Sequence, residues 1–283
     1  MLCVIIDSLD IVRIARLNSP VREMKMQFQK IVREERHYCA HLFRLLCHEK
    51  EIGGAQSGLA RFLALAKVDV PNDLATIAQA EFFVEVAVFR DFYQVHHDRR
   101  AFLADLYDAF LPLVAPLYGG RIDKPVRTGE FDHEKVHPKD FAWEVGHRPD
   151  QREQDVLFYR EFSALFNAKP DLLIICGGRM LWFEVKFWVP FDSSQLQRTK
   201  NIAALCSSSL FASVFDGMPS EVLMLGTQRH RVARRQHGFV DWAKVGELAE
   251  QILPGGKTNY SAQALRTLVS LDLTRVGRAE LDA

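Results

Sequence analysis

Residues 169–186 read KPDLLIICGGRMLWFEVK, and this stretch decides the fold that the sequence predicts. An apolar run fills positions 172–176, a glycine pair follows at 177 and 178, and a second apolar run begins at Met180. Two short apolar runs joined by a glycine pair are typical of a β-hairpin. We therefore expect strands at 172–176 and 180–187 with a tight turn between them.

Three charged residues stand at the open end of this hairpin. Asp171 begins the first strand, and Glu184 and Lys186 end the second. Alternation along a strand puts Glu184 and Lys186 on one face, and a tight hairpin brings Asp171 beside them. Two carboxylates supply the oxygen ligands that Mg²⁺ requires, and an ammonium can orient a water molecule and offset developing negative charge. The grouping suits metal-dependent phosphodiester hydrolysis, whereas the alternative is an exposed cross-strand ion pair on an edge hairpin.

Pro170-Asp171 followed by Glu184-Val185-Lys186 resembles the signature of the PD-(D/E)XK nuclease superfamily. The resemblance covers residues 150 to 230 and implies a restriction-endonuclease-like mixed sheet flanked by helices. It implies that Asp171 and Glu184 bind Mg²⁺ or Mn²⁺ and that Lys186 is catalytic. Members commonly carry a glutamine or basic residue on the helix after the third strand. Gln195 matches that position as a further catalytic residue, with Arg198 nearby as a nucleic-acid contact.

Many members of that superfamily add a glutamate from a helix that precedes the first core strand. Glu144, Glu153 and Glu161 are the candidates, because residues 155–166 fit either a helix or a strand. If that segment is the strand, Glu144 or a residue upstream serves. If it is the helix, Glu153 or Glu161 serves. We carry Glu153 forward as the expected additional metal ligand.

Periodicity over the rest of the chain predicts an α/β (α+β) fold in two parts. Residues 1–118 should form an all-helical region for recognition or assembly, and residues 119–283 should form the nuclease domain. A polar connection from 118 to 151 marks the boundary and carries one short strand, at 141–145. The expected helices lie at 21–49, 59–67, from Pro71-Asn-Asp73 onward through Ile77, Phe82, Val84 and Val88, at 101–117, 195–210 and 241–253, with a further strand at 221–226.

Composition limits the classes of protein that fit. The 283 residues include 36 Lys plus Arg and 36 Asp plus Glu, so a phosphate-binding surface must be a local patch. The five cysteines include no CxxC pair, which disfavours a zinc ribbon and indicates a reducing compartment. Asp7 and Asp10 interrupt the first apolar run, and the apolar stretches fall short of a membrane span. We expect a cytoplasmic protein that does not bind membranes.

The expected function is therefore a Mg²⁺-dependent nuclease that acts on DNA in preference to RNA, in prokaryotic defence or DNA processing. The helical N-terminal region would bind a protein partner or a second copy. The alternative is a catalytically silent nucleic-acid-binding or scaffold subunit that keeps the nuclease fold within a larger complex. The complete set of Asp171, Glu184 and Lys186 favours the nuclease, because an idle site has no reason to keep all three.

The densest basic run is QRHRVARRQH at residues 228–237. It follows the strand at 221–226, close to where the superfamily binds its substrate. Arginine is favoured at bidentate phosphate contacts, so Arg231, Arg234 and Arg235 are expected to bind the nucleic-acid backbone. A solvated helix face or loop is the alternative for this run.

Replacing Arg231, Arg234 and Arg235 together by alanine should weaken DNA binding and reduce its salt dependence, because fewer counterions are released. Fluorescence anisotropy with a labelled duplex, repeated over a salt series, measures both quantities. An unchanged slope of log affinity against log salt concentration would place the binding surface elsewhere.

Overall fold

The computed structural model describes residues 35–48, 57–69, 73–186, 191–227, 238–253 and 260–266. The strands are β1 (Glu81–Val84), β2 (Leu172–Cys176), β3 (Arg179–Val185), β4 (Ser220–Gly226) and β5 (Gly238–Asp241). The α-helices are α1 (Glu35–Leu46), α2 (Gly58–Ala66), α3 (Leu74–Gln79), α4 (Val88–Val95), α5 (Arg99–Val114), α6 (Phe141–Gly146), α7 (Glu153–Asn167), α8 (Ser193–Cys206), α9 (Ala212–Phe215) and α10 (Trp242–Ile252). Short 3-10 helices span Ala115–Tyr118, Thr128–Glu130, Pro138–Asp140 and Ser209–Phe211.

The five strands form one mixed sheet in the order β1-β2-β3-β4-β5. The β1–β2 and β2–β3 pairs are antiparallel, whereas β3–β4 and β4–β5 are parallel. The hairpin expected from the sequence is β2–β3. Its turn residues Gly177 and Gly178 have φ angles of 58° and 69°, a backbone conformation that glycine adopts without the steric cost of a Cβ atom. The α+β class expected from the sequence is confirmed.

Helices cover both faces of the sheet and form two hydrophobic cores. Along β3, Leu181, Phe183 and Val185 pack into the first core with α1, α2 and α10. Met180 and Trp182 point the other way, into the second core with α4, α5, α7 and α8. Apolar side chains on both faces are what a central strand needs, which explains the nearly unbroken hydrophobic run in this part of the sequence.

The expectation of an all-helical region through residue 118 is wrong at β1. Asp73 does open a helix, because its Oδ1 accepts a hydrogen bond of 3.0 Å from the Thr76 N–H. That helix ends at Gln79, and the residues expected to continue it, Phe82 and Val84, lie on β1 instead. Phenylalanine and valine favour strands, and pairing with β2 gives their backbone groups hydrogen-bond partners along the sheet.

The expected strand at residues 141–145 is the helix α6. Phe141, Trp143 and Val145 alternate with the smaller Ala142 and the charged Glu144, a spacing that resembles the period of a strand. In the structure Phe141 and Val145 are buried, whereas Trp143 is 61% exposed. Spacing of four residues between the two buried side chains is the helical period, and this face packs beside α7.

The ambiguous segment 155–166 is helical and belongs to α7. The expected helices near 59–67 and 241–253 and the strand at 221–226 are confirmed as α2, α10 and β4. Helix α8 starts two residues earlier than expected, because Asp192 rather than a serine caps it, and it ends at Cys206. The other bounds differ by a few residues, and the expected helix at 21–49 is described only from residue 35.

Residues on both sides of the expected boundary at residue 118 share the two cores. Phe102 and Phe110 of α5 lie in the second core together with Phe158 and Phe162 of α7. By length and composition the segment Arg99–Tyr118 could also cross a membrane. Within this fold one face of α5 packs in the second core, and no break between the described cores coincides with residue 118.

Candidate active site

Asp171, Glu184 and Lys186 meet at the open end of the β2–β3 hairpin. The register pairs Leu172 with Phe183, so the preceding Asp171 stands opposite Glu184. The Val185 N–H donates a hydrogen bond of 2.8 Å to Asp171 Oδ2, and Lys186 Nζ lies 3.8 Å from the same oxygen. The convergence that alternation and the tight turn imply is therefore present in the structure.

Glu184 is 2% exposed and is held by two side chains from α8. Gln195 Nε2 donates a hydrogen bond of 2.7 Å to Glu184 Oε2. The Thr199 hydroxyl donates a short hydrogen bond to Glu184 Oε1. Gln195 and Thr199 are four residues apart and so lie on the same face of the helix. The sequence pointed to Gln195 but not to Thr199, although the same spacing could have found it.

Lys186 is 7% exposed, which is unusual for an ammonium group. Its Nζ donates a hydrogen bond of 3.0 Å to the Val185 carbonyl oxygen. Its backbone N–H donates a hydrogen bond of 2.8 Å to the Leu225 carbonyl oxygen, which continues the β3–β4 ladder. Because β3 is the central strand and both charged side chains are buried, the alternative of an exposed ion pair on an edge hairpin is wrong.

Glu85 is a residue beside the site that the sequence did not indicate. It follows β1, and its backbone N–H donates a hydrogen bond of 3.2 Å to the Asp171 carbonyl oxygen. Its φ angle of 53° is uncommon for a residue other than glycine, and such strained positions cluster at functional sites. The sequence pattern predicted a helix through residues 82 and 84 and therefore did not indicate Glu85. Only the pairing of β1 with β2 brings Glu85 next to Asp171.

The structure does not bring Glu153 to Asp171. Glu153 is exposed at the start of α7 and pairs with Arg121 at 2.9 Å. Glu153 and Asn167 are the first and last residues of α7, so the helical rise separates them by about 21 Å. Asn167 is at the end of the helix that leads to Asp171. Glu161 accepts a hydrogen bond of 2.6 Å from the Tyr118 hydroxyl. Within the described residues neither glutamate contacts the pair of Asp171 and Glu184, and Glu144 has no side-chain bond to that pair.

Among the described residues, the oxygen atoms at the hairpin end include the carboxylates of Asp171 and Glu184 and the Val185 carbonyl. Among the described residues, no group of three or more His, Cys, Asp or Glu side chains is placed to hold a metal ion. Mg²⁺ commonly takes only one or two carboxylates and completes its shell with water and substrate phosphate. Each carboxylate oxygen has two lone pairs and can accept more than one bond. The donor chemistry of Asp171 and Glu184 is compatible with Mg²⁺.

Arg198 also belongs to α8, three residues after Gln195. Its Nε is buried and has no hydrogen-bond partner in the part of the chain that the structure describes. Hydrogen bonds from Ser194, with a smaller contribution from Arg198, lower the pKa of Asp192 at the start of the helix. The expected phosphate-binding residues Arg231, Arg234 and Arg235 lie outside the described residues.

Comparison with known proteins identified no relative of this chain. No model of a known protein family matches the chain, and searches of curated proteins and of solved structures found no match.

Replacing Thr199 by valine should lower the free energy of unfolding by about 1–3 kcal/mol, because it removes a hydroxyl donor from the buried Glu184 carboxylate while keeping the side-chain shape. Thr199→Ser keeps the hydroxyl and is the matched control, with a smaller expected loss. Urea denaturation of both variants measures the difference. Equal losses would show that the hydroxyl does not stabilise Glu184.

Proposed function

We propose that this protein is a metal-dependent nuclease with a restriction-endonuclease-like core, whose active site contains Asp171, Glu184, Lys186 and Gln195. The observation that carries the proposal is the burial of Glu184 and Lys186 on the central strand, with Asp171 beside them. A protein with apolar side chains at such positions is commonly as stable as, or more stable than, one with buried charged groups. Buried charged groups that converge with a third at one strand end are therefore better explained by chemistry than by stability.

Asp171 and Glu184 are the proposed ligands of Mg²⁺ or Mn²⁺. When bound, the ion would polarise a phosphoryl oxygen and lower the pKa of a water molecule. Gln195 and Thr199 fix the orientation of the Glu184 carboxylate, so little reorganisation is needed when charge develops. The Val185 N–H and the strand pairing fix Asp171 in the same way.

Lys186 is the proposed electrostatic stabiliser. Its ammonium lies between the Asp171 carboxylate and the Val185 carbonyl oxygen, so its position is held from two sides. An ammonium has no lone pair and therefore cannot act as a metal ligand. Its charge can instead orient the attacking water and offset negative charge that develops on the phosphate. That charge acts strongly here because the group is buried.

The proposed substrate is nucleic acid, with DNA favoured over RNA, and Arg198 is a proposed contact to its phosphates. Its place on the same helix as Gln195, three residues further along, supports that role. We also propose a cytoplasmic location and a role in prokaryotic defence or DNA processing. The N-terminal region would bind a protein partner or a second copy of the chain. These points follow from the sequence pattern and the resemblance.

A catalytically silent nucleic-acid-binding subunit is the second candidate. It is favoured by one observation, that no third acidic side chain joins Asp171 and Glu184 in a metal-binding group among the described residues. A cleavage assay distinguishes the two candidates, because only the nuclease cleaves nucleic acid when metal is supplied.

Asp171→Asn and Glu184→Gln should each reduce nucleic-acid cleavage to background, because each removes a charged oxygen ligand and hardly changes side-chain volume. The assay incubates plasmid, linear duplex, single-stranded DNA and RNA with Mg²⁺, Mn²⁺ or EDTA. Glu153→Gln is the matched control and should cleave at the wild-type rate, because Glu153 lies far from the hairpin end. Binding without cleavage by the wild-type protein in every metal would favour the silent subunit, and wild-type rates in Asp171→Asn would refute the site.

Lys186→Ala should lower the single-turnover cleavage rate by about a hundredfold or more, comparable to the loss of one electrostatic stabiliser. Its affinity for Mg²⁺ should change little or rise, because a neighbouring positive charge is gone. Lys186→Arg should restore little activity, since a planar guanidinium does not fit the place of a compact ammonium. Rapid-quench kinetics and calorimetric metal titration measure these effects.

Lys139→Ala, at an exposed lysine, serves as the control for Lys186→Ala and should behave as wild type. An equal loss of cleavage rate in Lys139→Ala and Lys186→Ala would contradict the role given to Lys186. If metal binding collapsed while the cleavage rate at saturating metal stayed normal, Lys186 would act by holding the metal site together rather than in the transition state.

A further inference from the structure

Two donors from one face of α8 hold the two oxygens of the Glu184 carboxylate separately. Gln195 Nε2 donates a hydrogen bond of 2.7 Å to Glu184 Oε2, and the Thr199 hydroxyl donates to Glu184 Oε1. Gln195 and Thr199 are about one helical turn apart, so each reaches a different oxygen from the same side. This arrangement orients the carboxylate, and it also limits how the carboxylate can bind an ion.

A carboxylate binds a cation either through one oxygen or through both. When one oxygen binds the ion, the other can keep a hydrogen bond, and metal-binding carboxylates commonly have such a bond. Chelation by both oxygens requires the two to turn toward the ion together. At Glu184 that turn would bend or break the bonds from Gln195 and Thr199. The described contacts therefore favour binding through a single oxygen of Glu184.

Mg²⁺ and Ca²⁺ use carboxylates differently. Mg²⁺ is small, takes about six ligands in octahedral geometry and keeps several water molecules, so one oxygen from each carboxylate suits it. Ca²⁺ is larger, takes roughly six to eight oxygen ligands and readily accepts two from the same carboxylate. A site in which Glu184 supplies only one oxygen offers Ca²⁺ less than the carboxylate contains. The freedom of the Glu184 carboxylate to turn therefore affects which of the two ions is preferred.

Thr199 is the stiffer of the two donors on α8. It is 2% exposed, and its side chain is branched at Cβ, which restricts the rotation of its hydroxyl group about χ1. Gln195 is half-buried and has a longer, more flexible side chain, so its amide can follow the carboxylate when the carboxylate turns. Loss of the Thr199 donor should therefore release the Glu184 carboxylate more than loss of the Gln195 donor.

We propose that the Thr199 hydroxyl raises the preference of the hairpin-end site for Mg²⁺ over Ca²⁺, by restricting Glu184 to binding through one oxygen. Thr199 acts through Glu184 and is neither a metal ligand nor a contact to nucleic acid, so it is a positioning residue. This inference rests on the proposed metal site of Asp171 and Glu184. It adds the side chain that sets the preference of that site between two ions.

Electron paramagnetic resonance of Mn²⁺, measured on the full chain without nucleic acid, tests the inference. Only unbound Mn²⁺ gives the sharp signal, so the displacement of bound Mn²⁺ by Mg²⁺ or by Ca²⁺ gives the dissociation constant of each ion. Asp171→Asn should lose the bound Mn²⁺, which assigns that ion to the hairpin end.

Thr199→Val removes the hydroxyl group and keeps the shape of the side chain. It should lower the ratio of the Ca²⁺ dissociation constant to the Mg²⁺ dissociation constant by about tenfold, a change typical of the loss of a hydrogen bond to a metal-binding side chain. The physical reason is that Ca²⁺ gains the second oxygen of Glu184, whereas Mg²⁺ has little use for it.

Gln195→Met removes the other donor at a half-buried position. It should lower the same ratio, but by less than Thr199→Val, because the glutamine side chain is the more flexible donor. If Thr199→Val did not fold, the ratio in Gln195→Met would decide the test.

Two controls separate the bond to Glu184 from other effects of changing a buried threonine. Thr199→Ser keeps the hydroxyl group and should keep the wild-type ratio. Thr128→Val makes the same change at a buried threonine in the 3-10 helix Thr128–Glu130, which packs against α5. It should also keep the wild-type ratio.

The possible failures differ in what they overturn. An unchanged ratio in Thr199→Val and in Gln195→Met, with Mn²⁺ bound at the hairpin end, would overturn this inference and leave the proposed nuclease intact. An equal fall of the ratio in Thr199→Val and in either control would overturn it as well, since the bond to Glu184 would not be the cause. Absence of Mn²⁺ binding by the wild-type protein, or full binding by Asp171→Asn, would overturn the proposed metal site and this inference with it.

Discussion

Burial of the Glu184 carboxylate at the end of the central strand constrains everything around it. An ionised carboxylate inside a protein must be hydrogen-bonded or paired. The fold satisfies Glu184 with two side chains from one face of α8, Gln195 and Thr199. The crossover helix between two parallel strands is thereby tied to the strand that precedes it. The same bonds that make the charge tolerable also fix its direction, which is what a preorganised site needs.

Strand pairing supplies the other half of the arrangement. The hairpin brings Asp171 opposite Glu184, and the Val185 N–H holds the Asp171 carboxylate at 2.8 Å. On the far side of β2, β1 brings the backbone of Glu85 against Asp171. Glu85 after β1, Asp171 before β2 and Glu184 near the end of β3 therefore lie at the same end of the sheet. A sheet whose edge gathers such residues can hold a reactive centre, because the two apolar cores keep the strands rigid beneath it.

The sequence by itself determined the β2–β3 hairpin, the position of Asp171, Glu184 and Lys186 at its open end, and Gln195 on the following helix. Each of these follows from local signals, because alternation, a glycine pair and helix spacing act within about twenty residues. The tertiary structure decided the rest. Residues 81–84 became a strand because the edge of β2 was free to pair with them, and residues 141–145 became a helix because α7 covers one helical face. The position of Glu85 beside Asp171 depends on a contact between distant segments, and no local pattern in a single sequence records such a contact.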